Sequence, residues 1–201
     1  MVVIKKSIEN IQKTVGKLCI FAGLEFLLVM LYLETIIPGF DRSTNFISDL
    51  GVGNTALAFN LSIFFAGVLT VIVAVLIFKY FNKKLFGLFL FLSGISTTLV
   101  GVFPENWGLL HGIVSFTTFL LGGLVALLSS KYSKKPWKYL LALLGIITLV
   151  TLTIHMFLVY GLNTNTGLGD GTIERIIVYP FILWSIFFGS YLILTKEKFR
   201  K

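Results

Sequence analysis

Six stretches of this chain are each long and apolar enough to cross a lipid bilayer, and this decides most of what it can fold into. A hydrocarbon core about 30 Å thick takes about 20 apolar residues at a rise of about 1.5 Å each. Residues 16–37, 55–78, 85–103, 108–130, 139–160 and 173–194 meet that length. They are rich in Leu, Ile, Val and Phe and lack the period-2 alternation of a barrel strand with a polar lumen. In hydrocarbon a spanning segment must satisfy its own backbone, so helices follow. Composition agrees. The chain is 56% hydrophobic and only 13% charged, against roughly 25% charged in a soluble domain. A water-soluble globule and a disordered chain are both excluded. The single cysteine, Cys19, excludes a disulfide framework and any Cys-based zinc or iron–sulfur site. The fold class is all-α, a six-helix transmembrane bundle.

The basic residues orient it. Lys5, Lys6, Lys13 and Lys17 precede the first span, Lys79, Lys83 and Lys84 separate spans 2 and 3, and Lys131, Lys134, Lys135 and Lys138 separate spans 4 and 5. Lys196, Lys198, Arg200 and Lys201 follow span 6, so 15 of the 17 basic residues fall on one side. Cytoplasmic loops carry the Lys/Arg excess, which predicts both termini in the cytoplasm of a cell-membrane protein. The other side carries Glu34, Asp41, Asp49, Glu105, Asp170 and Glu174 with only Arg42 and Arg175. The lysine patches are contacts for anionic lipid. Split among four short segments without a stacking platform, they do not form a nucleic-acid site. Membrane lipids are the expected partners, with a homo-oligomer or larger membrane complex as the protein assembly such a chain would enter.

Residues 1–15 place Ile4, Ile8, Ile11 and Val15 on one helical face, with Lys5, Lys6, Glu9 and Lys13 elsewhere, which predicts an interfacial amphipathic helix on the inner leaflet. A cleaved signal peptide is the weaker reading, because the apolar run is too long and Pro38-Gly39-Phe40 lacks a small-x-small pattern. The expected organisation is this helix, a six-span domain over 16–195 and a basic cytoplasmic tail over 196–201.

Charge inside a membrane is costly, so the depth of polar side chains is informative. His111 lies one turn into span 4 from its outer end, His155 near the outer end of span 5, and Asn60 a turn and a half into span 2. Glu105 sits in the short link Pro104-Glu105-Asn106-Trp107, Asp49 in the loop before span 2, and Glu174 and Arg175 open span 6. Most come from different segments, yet all belong to the outer layer. His111, Ser115 and Thr118 share one face of span 4, as do Thr148, Thr151 and His155 on span 5 and Ser93, Thr97 and Gly101 on span 3. Small and hydroxylated residues at such spacing ordinarily join helices. The ionisable groups are harder to explain that way, because an interface gains little from a group it must desolvate. The candidate catalytic residues are therefore Asp49, His111, His155 and Glu174. Asn60, Glu105, Arg175 and Tyr179 (i, i+4 from Arg175) are candidates for substrate binding. His111, His155 and Asp49 are the set that would hold a single divalent metal with an open position for water. Glu25, near the middle of span 1, reads as a neutral carboxylic acid bonded to another helix or as a proton or ion site.

The first outer loop carries Phe46, Ile47 and Leu50, which let it fold back as a lid bearing Asp49 or serve as a simple cap and turn. The last outer loop has Gly167, Gly169 and Gly171, but no preceding strand and no following Gly-Lys-Ser/Thr, so it is not a phosphate cradle. Pro180 removes a backbone hydrogen bond inside span 6.

The run Asn45-Phe46-Ile47-Ser48-Asp49-Leu50-Gly51 with Phe59-Asn60, then Gly101-Val102-Phe103-Pro104 with His111, then Glu174-Arg175 with Tyr179-Pro180, resembles the polytopic membrane family known as domain of unknown function 998. The resemblance implies a prokaryotic, often archaeal, integral membrane protein of about six spans, and implies no reaction. It singles out Asp49, Asn60, His111, Glu174 and Arg175, the residues that depth had already marked.

Three functions compete. The first is a membrane enzyme acting on lipid or a lipid-linked substrate at the outer leaflet, with Asp49, His111, His155 and Glu174 as acid, base or metal ligands and Arg175 holding an anionic head group. A match to the alkaline ceramidases fails, since they bind zinc through three His and this chain has 2. A rhomboid-like protease lacks its Gly-x-Ser-x-Gly-like elbow here. The second is a small-molecule or proton-coupled transporter using Glu25, against which stands the absence of inverted repeats. The third is an accessory or assembly subunit whose polar layer locks the fold.

Overall fold

The computed structural model describes residues 2–162, 164, 167–195 and 199, with side chains from Ile8 onward except those of residues 160 and 161. Helices α1 (Val2–Ile36), α2 (Ala56–Phe81), α3 (Lys84–Val102), α4 (Leu109–Lys131), α5 (Trp137–Met156) and α6 (Asp170–Leu194) account for most of it, and no strand occurs among the described residues. All six are long and apolar enough to cross a membrane. The exterior confirms the solvent they suit: Phe21, Leu28, Leu57 and Leu109 are between 61% and 79% exposed. Apolar side chains in that number would be a liability in water and are at no cost in lipid.

Tight links force neighbouring helices to be antiparallel. Asn82 ends α2 in the left-handed region at φ 52°, ψ 34°, a conformation that Asn tolerates, and α3 starts at Lys84. Each helix packs on the next, and α6 returns to α1, so the six close into a ring with α6 also touching α4. The closure between α1 and α6 depends on glycine. A Cβ on Gly16 would stand 2.7 Å from the Gly189 carbonyl oxygen, and one on Gly189 would stand 2.5 Å from that of Gly16. Such small pairs let backbones approach where lipid offers no hydrophobic drive to associate.

The lysine end is sealed. Phe81, Phe86, Phe188 and Phe199 meet edge to face at centroid separations of 5.5–5.9 Å, within the favourable range for aromatic pairs. Trp184 stacks on Phe181 and Phe188 and donates its indole N–H to Ser129 Oγ at 2.9 Å. The amphipathic pattern predicts a separate helix ending at residue 15, yet α1 runs unbroken through that point. Ile8, Gln12 and Val15 are buried, and Gln12 Nε2 donates to the Leu192 carbonyl of α6 at 2.9 Å. Their stripe packs on the bundle, which a sequence pattern alone cannot distinguish from packing on a leaflet. Phe199, in the segment read as a basic tail, is likewise buried and donates its N–H to Gln12 Oε1.

Candidate functional site

The acidic end is built differently, around a loop pinned to α6. Residues 37–55 fold back over the ring, burying Ile47 and Leu50 completely or nearly so. Arg175 holds this loop. Its Nη1 donates to the carbonyls of Arg42, Asn45 and Gly171 at 2.8, 2.8 and 2.9 Å, and its Nη2 to Glu34 Oε1 of α1 at 2.5 Å. Arg42 Nε donates to the other Glu34 oxygen at 2.7 Å. Gly171 is required beneath it, since a Cβ there would collide with the carbonyls of Asn45 and Arg42. Inside the loop, Asp49 Oδ2 accepts from the Phe46 N–H at 2.9 Å and from Asn45 Nδ2 at 3.2 Å. Asp41 receives the Ser43 N–H and hydroxyl, both at 2.8 Å, which hold its carboxyl below the usual carboxylate range.

Arg175 and Glu174 are consecutive, so they leave α6 about 100° apart. Arg175 serves the clamp, whereas Glu174 turns to the inside and takes the Ile47 N–H on its Oε2. There it borders two hollows that share part of their lining. One, of about 840 Å³, opens at the acidic end between the loop, the α3–α4 link and the helices α4, α5 and α6. The other, of about 80 Å³, runs down the axis of the ring between Phe26, Phe59, Ile63, Ala66, Phe181 and Ile182. Ser48, His111, Ser115, Phe119 and Glu174 line both. They form the threshold between a polar groove and an apolar shaft.

The groove also receives Glu105 and His155. Burial drives the Glu105 carboxyl up to about 7, helped by the Asp49 carboxylate with which it shares a hydrogen bond and opposed by the Ser48 hydroxyl. A carboxyl in that state gives or takes a proton near neutral pH, as acid–base chemistry requires. His155 Nδ1 is buried without a hydrogen-bond partner. His111 Nδ1 lies 2.8 Å from the Phe103 carbonyl oxygen and Nε2 lies 3.2 Å from Ser115 Oγ. A carbonyl can only accept, so Nδ1 carries a proton, and in the neutral ring Nε2 is then the acceptor for the Ser115 hydroxyl.

Of the residues marked by sequence, Glu105, His111, His155 and Glu174 thus share one groove, with Asp49 behind Glu105. The others lie elsewhere. Arg175 bonds Glu34 and three carbonyls and does not line the groove. Tyr179 accompanies it, lining a separate hollow with Asp41, Arg42 and Pro180. Asn60 ties α2 to the loop through the Gly51 carbonyl at 2.9 Å, on a side facing Leu57, Phe64 and Gly101. Glu25 lines neither hollow and approaches Ser62 of α2. Asp49 is occupied by loop amides and does not join the histidines, and among the described residues no three His, Cys, Asp or Glu form a metal-binding group. The expected metal set of His111, His155 and Asp49 is therefore not assembled.

Sequence reasoning gave no site role to Ser48, Ser115 or Glu34. Ser115 was detectable, four residues beyond His111 on one helical face, but its hydroxyl reads equally as helix glue. Glu34 gave no signal beyond its place among the outer acids, because its partner is 141 residues away.

Six apolar helices in a ring, sealed at one end and holding a polar groove at the other, define a multi-pass membrane protein. The model of the family described as "Protein of unknown function (DUF998)" matches residues 20–191, and the chain belongs to that family. No curated protein and no solved structure matches it.

Proposed function

We propose that this protein is a cell-membrane enzyme that acts on a lipid or lipid-linked substrate drawn from the outer leaflet. The lysine-rich end faces the cytoplasm under the positive-inside rule, so the acidic groove opens at the outer surface. The observation that carries the reading is that groove and shaft share Glu174, His111 and Ser48 in their walls. An amphiphile is the ligand that fits this pair: its apolar chain along the groove of about 840 Å³ with only its last few carbons in the shaft, and its polar head among Glu105, His155 and Glu174. Glu105, which titrates near 7, and His111 supply acid and base beside the head. The position of Glu25, outside both hollows, offers nothing to a transport reading.

Native mass spectrometry of the protein extracted from its membrane tests this. One retained amphiphile is expected, released when the shaft is filled by Ala66→Phe or Ile63→Trp while the fold, followed by thermal unfolding, persists. Equal retention in the filled variants would overturn the reading.

A further inference from the structure

Within the threshold, Ser115 is the group best placed to make a covalent bond. We propose that Ser115 is a nucleophile activated by His111 and that the substrate class is an ester-linked lipid, whose acyl group Ser115 takes up. The inference rests on the lipid-site reading above and adds a reaction to it.

The argument is geometric. A serine hydroxyl is a weak nucleophile until a base accepts its proton and a third group fixes the base's tautomer and orientation. All three parts are present. Ser115 Oγ is 3.2 Å from His111 Nε2, and His111 Nδ1 is 2.8 Å from the Phe103 carbonyl oxygen. The link between α3 and α4 supplies that carbonyl: the Phe103 N–H closes α3 on Leu99, its C=O turns to His111, and Gly108, at φ 56°, turns the chain into α4. Ser115 and His111 stand one turn apart on α4, so the pair is held by the helix itself. Both line the groove and the shaft. A chain that lies in the groove with its end in the shaft therefore passes Ser115.

The step balances without a further reagent. Ser115 Oγ adds to the ester carbonyl carbon as its proton passes to His111 Nε2. The carbonyl then reforms, the C–O bond to the head-group alcohol breaks, and Nε2 returns the proton to that leaving oxygen. An acyl-Ser115 ester results, which water or a second alcohol resolves by the reverse path.

Long-chain and ethyl alkyl fluorophosphonates, applied to the full-length protein in nanodiscs, probe this directly. The Oγ–P bond forms, P–F breaks, fluoride leaves and the proton goes to His111. A single adduct mapped to Ser115 by peptide mass spectrometry is expected, absent in Ser115→Ala and slowed on the order of a hundredfold in His111→Gln. No adduct on the wild-type protein, an adduct on another residue, or unaltered labelling in His111→Gln overturns the nucleophile. The chain-length comparison tests the underlying reading separately. Faster labelling by the long-chain probe, lost in Ala66→Phe while ethyl labelling persists, supports both ideas. Equal rates for the two probes at Ser115 would leave the nucleophile standing and overturn the lipid shaft.

Discussion

Arg175 of α6 and Glu34 of α1 form a buried ion pair at 2.5 Å, their side chains 9% and 1% exposed. The pair joins the first and last helices at the acidic end, as Gly16 and Gly189 join them further along. Because Arg175 also holds three loop carbonyls, the clamp decides where the loop rests and, through Ile47, where Glu174 is held. Glu34→Gln keeps the shape and removes the charge, leaving Arg175 buried and unpaired. A loss of about 3–5 kcal/mol is expected, read as a lowered thermal midpoint in detergent. Glu34→Gln combined with Arg175→Met should recover part of it. A midpoint unchanged in the single variant would show that the clamp does not support the fold.

Glu105 makes stability depend on pH in an unusual direction. Its carboxyl titrates near 7 in the folded chain, above the ordinary value of 4.5, so between those limits the folded state binds more protons than the unfolded state. Stability from this group is full at low pH and declines as pH rises through that window. Thermal midpoints measured from pH 5 to pH 8 should therefore fall in the wild-type protein and fall less in Glu105→Gln, which stays neutral. Asp49→Asn removes the charge that helps raise Glu105 and should narrow the window from its upper end. A midpoint that rises with pH by the same amount in all three proteins would contradict this account.

The α1–α6 crossing tolerates no side chain at its centre. Gly189→Ala places a methyl group 2.5 Å from the Gly16 carbonyl oxygen, with Ile20 and Cys19 also within 3.0 Å, and forces the helices apart. Overpacking of this kind costs about 1–3 kcal/mol. Gly112→Ala, on α4, meets nothing within 4 Å and should leave the midpoint within experimental error, or raise it slightly through helix propensity. Equal effects at the two positions would remove the crossing from the account.

Topology is open to chemical labelling because Cys19 is buried and no other cysteine is present. In a Cys19→Ala background, Thr44→Cys lies on the exposed loop and Lys135→Cys on the exposed α4–α5 link. A membrane-impermeant maleimide added to intact cells should modify the first and spare the second until the membrane is opened. The reverse pattern would invert the topology and move the groove to the cytoplasmic surface.

Much of this molecule was legible along the chain. Span positions follow from hydrophobic runs, which are local, and the gathering of acids at one end and lysines at the other follows from where each link falls. That Glu174 and Arg175 point in different directions also follows, because adjacent residues on any helix must. Which of them faces the groove does not. It depends on the rotation of α6 against α1, set by a glycine contact between residues 16 and 189 and an ion pair between 34 and 175. The same holds for Asn60, turned to the loop, and for Ser115, whose partnership with His111 is local but whose exposure to the shaft depends on how the ring closes. Depth in the membrane is a property of sequence, since it is counted in residues from a boundary. Direction around each helix axis is decided by tertiary packing alone, because only contacts between distant segments fix the rotation of one helix against another.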